Sequence, residues 1–404
     1  MLGFQLGIMK RVLLFCGVLF AACEIVDNDM EKHVKPSVLV SLEEMAEVMA
    51  HVPFSDEQMG EVYDAVSSSA SNGYDEEYTM KNLFASPGAG VGDEHMQSRS
   101  SGEYEVPFRE LIEKYIRSAV PVKSGPASPD AEEWLKFLTE SDMQIYWPFS
   151  ENWDGKSYPV ITYDPEDNSR RNIGYRILVH DDGSRSVEEV LVDEEMARNN
   201  PVWVVNRNSD AGYKTLEILR REDPDWGNGG GSIIVKPSET KRSKSGLKTL
   251  MLKDFTMNRN YDSWFAGASE FFVKIGTVED FTATTEAELR LYNPSVTDFM
   301  IVVRRNQVGK PQPFNAILIS DWSDQLESCA LMITEDDGGT VKDWNCTALV
   351  RINSKSYGIE VKIPFNSFDD VVWRGSLTSR WFEANSDTTG HFGDVDLTFA
   401  LVQN

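Results

Sequence analysis

The sequence has few of the side chains on which metal and covalent chemistry usually depend. Only five His and four Cys occur among 404 residues, which is little material for zinc or iron–sulfur sites. Basic residues are also in the minority, with 39 Lys and Arg against 65 Asp and Glu. Because nucleic-acid binding needs clustered Lys and Arg to neutralise phosphates, nucleic acid is not an expected partner.

Several catalytic motifs are absent as well. There is no His-Glu-x-x-His pair, which excludes a zincin protease. The stretch Gly267 to Glu270 begins like a Gly-x-Ser-x-Gly elbow, but Phe271 stands where the second glycine should be. The glycines at 227–231 lack the Gly-Lys-Ser/Thr ending of a phosphate-binding loop. Carboxylates are abundant, so hydrolysis of a glycosidic bond by paired acids stays open.

The chain also lacks an apolar run long enough to span a bilayer. Its clearest apolar run lies near the N-terminus. Val12 to Phe20 is apolar, follows a Lys-Arg pair and precedes two alanines. At 1.5 Å per residue this run is too short to span a bilayer. Residues 1–22 are therefore predicted to be a signal peptide.

The end of this run, Phe20-Ala21-Ala22-Cys23, resembles the lipobox of bacterial lipoproteins. The resemblance implies cleavage before Cys23 and acylation of its side chain, so that acyl chains hold the protein to the membrane. Residues 23–36 then form a lipid-anchored acidic tether. Their acids resemble the export signal of surface lipoproteins, which implies a location on the bacterial outer membrane, at the cell surface. A plain secretory signal cleaved near Ala22 is the alternative.

The rest of the chain is predicted to be a multidomain α+β protein. Residues 37–130 have capping boxes and helically spaced apolar residues, which predict a helical N-terminal region with a flexible loop at 86–104. Residues 131–230 predict a mixed α+β middle domain, and residues 231–246 a linker. Residues 247–404 predict a C-terminal antiparallel β-sandwich, because short strands recur with turns between them.

Nine strands are predicted in this last domain, and several alternate apolar and polar residues cleanly. Long loops carrying Asp between the strands make the domain similar to C2-type sandwiches, by pattern alone. The predicted strands are Leu250 to Phe255, Phe271 to Val278, Glu286 to Tyr292, Phe299 to Val303, Ala316 to Ile319, Cys329 to Thr334, Thr347 to Ile352, Gly358 to Ile363 and Val395 to Val402.

Two stretches of the mature chain carry a broader resemblance. Asn72 to Tyr78 (NGYDEEY) and Tyr146 to Glu151 (YWPFSE) resemble sequences of uncharacterised surface lipoproteins of gut-type anaerobes. The resemblance implies a surface location, and no functional residue carries over from it.

An aromatic cluster is the first candidate binding feature. Trp147, Trp153 and Tyr158 surround Asp154-Gly155 in a predicted loop. Exposed aromatic rings beside acids suit stacking on sugar faces and bonding to their hydroxyl groups. Core and corner packing of the three rings is the alternative interpretation.

A set of six aspartates in the sandwich domain is the second candidate. Clusters of hard oxygen ligands at one end of a sandwich could bind calcium. Solvated turn acids are the alternative, and no other cofactor is expected. The six residues are Asp262, Asp336, Asp337, Asp387, Asp394 and Asp396.

Two cysteines flank a turn-forming dipeptide in the same domain. Asp337-Gly338 favours a two-residue hairpin turn, and a turn centred there would place Cys329 opposite Cys346. Opposed residues lie within disulfide distance, and an exported location permits oxidation. A disulfide between them is therefore predicted, with two reduced core thiols as the alternative.

Together these features favour a non-catalytic, surface-anchored lipoprotein for binding or envelope assembly, with a glycan or an envelope protein as the ligand. One alternative is a secreted hydrolase that uses carboxylates to act on carbohydrate. The other is a structural accessory subunit of an envelope complex. Two carboxyl groups about 5–9 Å apart in a cleft would favour the hydrolase. An exposed aromatic surface without such a pair would favour binding.

Acylation at Cys23 predicts how the protein partitions. Wild-type protein should sediment with membranes, and Cys23→Ala should shift it to the soluble fraction because its acyl anchor is lost. Mass spectrometry of the N-terminal peptide should find an acylated Cys23. An unmodified chain that begins elsewhere would contradict the prediction, as would equal membrane retention of the variant.

Overall fold

The computed structural model describes five parts of the chain, and these belong to one compact unit. Among these residues no helix is both long enough and apolar enough to cross a membrane. The predicted signal peptide, Cys23 with its tether, the predicted loop at 86–104 except its last residue, and the linker at 231–246 lie outside the described residues. The described parts are residues 40–85, 104–119, 130–208, 215–222 and 247–403.

Eight α-helices occur in these parts, and three of them begin at capping boxes. Ser41, Ser55 and Asp130 each accept a backbone N–H of the first turn, while the third helical residue bonds back to the cap. The helices are α1 (Leu42–His51), α2 (Asp56–Ser71), α3 (Met80–Leu83), α4 (Phe108–Ala119), α5 (Ala131–Glu140), α6 (Glu194–Asn199), α7 (Leu216–Glu222) and α8 (Ser379–Asn385).

The first sheet has six strands in the order β1-β2-β6-β3-β4-β5, and only β3 and β6 pair in parallel. Its strands are β1 (Glu77–Thr79), β2 (Met143–Tyr146), β3 (Val160–Tyr163), β4 (Arg171–Val179), β5 (Arg185–Asp193) and β6 (Val202–Arg207).

The predicted helical region and middle domain share this sheet. Strand β1 belongs to the region predicted to be helical, yet it pairs with β2 of the middle domain. Three residues are too short for an alternating pattern to reveal a strand, so the sequence did not predict it. Helices α1, α2 and α4 bury their apolar faces in a core that also contains residues of β2, β3 and β6.

Aromatic rings fill the centre of this core. Phe54 is fully buried, and its ring centroid lies 5.4 Å from that of Phe108 and 5.2 Å from that of Trp203. Trp203 in turn lies 5.7 Å from Trp147. These contacts join the loop after α1 to α4 and to the sheet.

The C-terminal region is an antiparallel β-sandwich, as predicted. One sheet has the order β10-β7-β16-β15, and the other has the order β13-β12-β11-β8-β9, with β14 also paired to β11. The strands are β7 (Lys248–Met257), β8 (Ser269–Thr277), β9 (Ser295–Val303), β10 (Gln312–Trp322), β11 (Leu326–Glu335), β12 (Val341–Ile352), β13 (Lys355–Asn366), β14 (Asp370–Thr378), β15 (Thr389–Phe392) and β16 (Val395–Gln403).

The strand predictions for this region were partly wrong. Strands β14 and β15 were not predicted, and Glu286 to Tyr292 was predicted as a strand. The segment Glu286–Leu291 is instead a 3₁₀ helix. Thr284 donates its backbone N–H to Glu288 at 2.8 Å, and the Thr285 hydroxyl donates to the same carboxylate. These local side-chain bonds favour a helical turn over a strand.

The predicted disulfide between Cys329 and Cys346 is also wrong, because both cysteines are free. Strand β11 meets β12 only near its beginning, and from Ser328 onward it pairs with β14. Cys329 therefore lies opposite Leu377, and Cys346 lies opposite Val361 of β13. The predicted hairpin would have paired Cys329 of β11 with β12. Instead β14, a strand that was not predicted, pairs with this part of β11.

The aromatic core predicts a large effect of truncating Phe54. Phe54→Ala should lower the free energy of unfolding by about 3–5 kcal/mol, because it leaves a cavity among packed rings. Urea denaturation measures this value. The matched control is Phe368→Ala, since Phe368 is 71% exposed and its truncation should change stability by less than about 0.5 kcal/mol. Equal effects of the two substitutions would contradict this account of the core.

Candidate functional site

The two stretches that resemble surface lipoproteins contact each other. Glu77 pairs with Tyr146, and Trp147 donates its backbone N–H to the carbonyl of Glu76 at 2.9 Å. The Glu76 carboxyl group also accepts the Phe149 N–H at 3.3 Å. The chain at 72–78 is therefore fixed against the loop that follows β2.

The same stretch reaches the sandwich through Asp75. Its Oδ2 accepts the backbone N–H of Ala268 at 2.8 Å, in the loop between β7 and β8. Gly267 has a φ of 133°, and a Cβ there would lie 2.9 Å from Asp75 Oδ2. Glycine thus permits both the backbone conformation and the close approach of the carboxylate. Asn206 of β6 adds a second link, since its amide donates to Phe265 O at 3.0 Å.

This junction between the first sheet and the sandwich is acidic and buried. Burial raises the pKa of Asp75. Burial, and then the neighbouring Asp75 and Glu151, raise the pKa of Glu76 to about 9. Burial alone would raise the pKa of Glu151, but the hydrogen bond from Asn306 and others lower it. Glu76 is therefore neutral at pH 7 and Glu151 is ionised.

A cavity of about 300 Å³ lies beside this junction. It lies between the end of α2, helix α7 and strands β9 and β10. Thr215, just before α7, donates its hydroxyl to Asn72 O and thereby fixes α7 against the end of α2. The apolar lining of the cavity includes Tyr74, Met300 and Phe314. Its polar lining includes Glu217, Arg304, Gln307 and Gln312.

Arg304 connects the cavity to the acidic junction. It lines the cavity, and its positive charge lowers the pKa values of Asp75 and Glu76 against the larger effect of burial. The backbone N–H of Arg304 donates to Gln307 Oε1 at 2.9 Å, which holds the Gln307 side chain in place. The cavity therefore combines a guanidinium, amides and a carboxylate with apolar walls.

A second acidic group lies within the sandwich. Asp262 comes from the loop between β7 and β8, Glu270 from β8, and Glu335 from the end of β11. One carboxylate oxygen of each lies within 4.8 Å of the others. Strands β8 and β11 are neighbours, with Glu335 opposite Phe271. Pairing of these strands therefore brings the two glutamates together.

Burial disfavours ionisation of the carboxyl groups in this cluster. Burial, and then contact with Asp262, raises the pKa of Glu335 to about 12. Burial also raises the pKa of Asp262. At its edge, burial raises the pKa values of Asp337 and Asp369 to about 6, with neighbouring acids adding to the effect.

Three of the six predicted calcium ligands lie at this cluster. Asp262 is one of its members, and Asp336 and Asp337 follow Glu335 directly. Asp336 Oδ1 accepts N–H groups from Gly338 at 3.1 Å and Asn366 at 2.9 Å. The turn between β11 and β12 thus carries acids beside the cluster.

The other three predicted ligands are not part of it, and this portion of the prediction is corrected. Each lies at or near β15 or β16, in the other sheet, and has its own positively charged or imidazole partner. Asp387 bonds to Lys253 at 2.7 Å and Asp394 to Arg259 at 2.6 Å, while Asp396 contacts His391. Local pairing explains why these acids do not gather around one point.

Sequence reasoning missed Glu270 and Glu335, because it considered aspartates in loops. Both glutamates lie on strands. The signal that could have found Glu335 is its position at the end of Cys329 to Thr334, a nearly continuous apolar run that indicates a buried strand. An acid that extends such a strand is a candidate for burial.

The three predicted aromatic rings do not form one exposed surface, because Trp147 is buried, while Trp153 and Tyr158 are half-buried and pack against the core. Trp147 is only 1% exposed, so it cannot stack on an external ligand. Trp153 packs 5.3 Å from Trp147, and Tyr158 packs 5.8 Å from Phe54. Arg185 donates to the Tyr158 hydroxyl at 2.9 Å and covers its ring.

The raised pKa of Glu76 predicts a pH-dependent stability. An acid with a raised folded pKa stabilises fully below its unfolded value, near 4.5, and loses that contribution as pH rises through about 9. Glu76→Gln removes the ionisation, so its stability relative to wild type should grow between pH 5 and pH 9, by on the order of several kcal/mol. Urea denaturation at both pH values measures the difference.

The exposed Glu140 supplies the matched control, because Glu140→Gln makes the same substitution at the end of α5, outside the acidic junction. Parallel profiles of wild type and Glu76→Gln would show that Glu76 ionises as readily in the folded state as in the unfolded state.

Comparison with known proteins assigns no role to these groups. No family model, curated protein or solved structure matches the chain. The functional interpretation therefore depends on the cavity and on the carboxylate cluster themselves.

Proposed function

We propose that the protein is a non-catalytic lipoprotein, anchored through Cys23 to the bacterial outer membrane, that binds a small polar ligand at the cell surface. A sugar unit of a glycan is the ligand class that fits best. The observation that carries this proposal is the 300 Å³ cavity beside the acidic junction.

The size and lining of the cavity support binding of a sugar unit. Its volume of about 300 Å³ is at the lower end of the range for small-molecule sites. Tyr74 and Phe314 supply flat apolar surfaces, which suit the C–H faces of a sugar ring. Arg304, Gln307 and Gln312 supply the donors and acceptors that hydroxyl groups need.

The composition of the lining supports binding rather than hydrolysis. Acid-dependent glycoside hydrolysis uses two carboxyl groups that flank the scissile bond. Among the described residues that line the cavity, Glu217 is the only one with a carboxyl group. The carboxylate cluster around Glu335 is not part of this lining. A binding role therefore fits the site better than the carbohydrate hydrolase considered from the sequence.

The resemblance of residues 20–23 to a lipobox and the charge of the chain support the proposed surface location. The formal net charge of −26 keeps the body soluble and away from anionic membrane surfaces. Acyl chains on Cys23 would supply the attachment. A ligand-binding body on an acidic tether would then face the medium outside the cell.

A glycan-array screen with residues 27–404 tests the proposal. We expect binding to a defined set of glycans, and we expect Gln312→Ala to weaken that binding by about tenfold, because one hydrogen-bonding amide is lost from the cavity. Isothermal titration with the best glycan measures both affinities.

The matched control is Lys310→Ala, two residues before Gln312 and outside the lining of the cavity. Gln312 donates to the backbone carbonyl of Lys310, which this substitution retains. The control should bind like wild type. Equal affinities of wild type and Gln312→Ala would exclude the cavity as the site. Absence of any glycan binding would favour a protein ligand or an accessory structural role.

A further inference from the structure

We infer that Asp262, Glu270 and Glu335 form a binding site for one divalent cation, and that the cation is calcium. The site is separate from the proposed ligand cavity, and the inference does not depend on what that cavity binds.

The spacing of the three carboxylates fits a single ion. Calcium binds oxygen at 2.3–2.6 Å, so two oxygens on one ion lie at most about 5 Å apart. One oxygen from each of the three residues lies within 4.8 Å of the others. The three residues come from a loop and two paired strands, so the backbone of the sandwich holds them near each other.

The second observation is that buried oxygen atoms in the cluster lack partners. Glu335 is 1% exposed, yet within the described parts of the chain its Oε1 accepts no hydrogen bond. The same holds for Oδ2 of Asp262. Leaving a buried carboxyl oxygen without a partner costs free energy, whereas a bound cation would satisfy several such oxygens at once.

Two basic side chains of the described residues, Arg305 and Lys274, form their hydrogen bonds with backbone carbonyls and not with the carboxylates of the cluster. Arg305 donates to the backbone carbonyl of Asp262 at 2.8 Å, and its guanidinium lies 3.8 Å from Glu194. Lys274 donates to Pro364 O at 2.9 Å and lies 3.4 Å from Asp298. Although Arg305 lowers the pKa of Asp262, burial outweighs it. Within the described residues, neither Asp262 nor Glu335 therefore forms an ion pair with a basic side chain.

The donor set identifies the class of ion. All three donors are carboxylates, which suit hard cations, whereas zinc and copper sites use imidazole or thiolate groups. Magnesium needs oxygens at 2.0–2.1 Å and usually takes one or two carboxylates with several waters. Three protein carboxylates with a spacing of up to 4.8 Å fit calcium better.

Calorimetric titration of the full-length, chelator-treated protein with calcium chloride tests the inference. We expect one ion per chain, and a melting temperature about 5 °C higher at a hundredfold excess over Kd. Glu335→Gln should raise Kd by at least about 100-fold, since it removes a charged ligand. The calcium-free variant should melt no lower than calcium-free wild type, because it no longer buries an ionisable group there.

Asp387→Asn is the matched control, because Asp387 belongs to the same domain but pairs with Lys253. It should bind calcium like wild type. If Glu335→Gln fails to fold, Asp262→Asn should give the same loss of affinity. Absence of binding at millimolar calcium would overturn the inference, as would a wild-type Kd for the folded variants. Tighter binding of magnesium than of calcium would overturn the choice of ion.

Discussion

The burial of carboxyl groups is the constraint on which the rest of this structure depends. Among the described residues, the buried acids Glu61, Asp75 and Glu335 form no ion pair with a basic side chain. Three solutions remain: backbone N–H groups, a retained proton, or a bound cation. Glu61 uses the first, since its carboxylate accepts the Phe108 N–H at 2.6 Å at the start of α4. Asp75 uses it as well, and thereby joins the sandwich to the first sheet.

Both proposed sites lie beside buried acids. Glu76 retains a proton at neutral pH, and beside it Arg304 turns toward the cavity that we propose as the ligand site. In the sandwich, the carboxylates of Asp262 and Glu335 have oxygens without partners, which is where a cation would be needed. The acids of the stretch NGYDEEY are thus structural, because they join the first sheet to the sandwich, whereas Tyr74 of the same stretch lines the cavity.

The sequence predicted the helices and strands that depend on local patterns. Capping boxes located α1 and α2, and alternation located most strands of the sandwich, because both signals lie within a few residues. It could not predict contacts that depend on strand order. Strand β14 displaces β12 from Cys329, and β11 lies beside β8, which brings Glu335 near Glu270. The prediction of an exposed Trp147 was wrong for a similar reason, because Trp147 packs against residues of α2 and β6 that are distant in sequence.

Infrared spectroscopy of the protein at pH 7 tests the central claim most directly, because neutral carboxyl groups and carboxylates absorb at different frequencies. The account predicts absorption from neutral carboxyl groups in the chelator-treated protein, contributed by Glu76 and Glu335. Part of it should disappear when calcium is added, as Glu335 ionises to bind the cation, while the part from Glu76 should persist. A spectrum without neutral carboxyl groups in the folded, calcium-free protein would contradict the account.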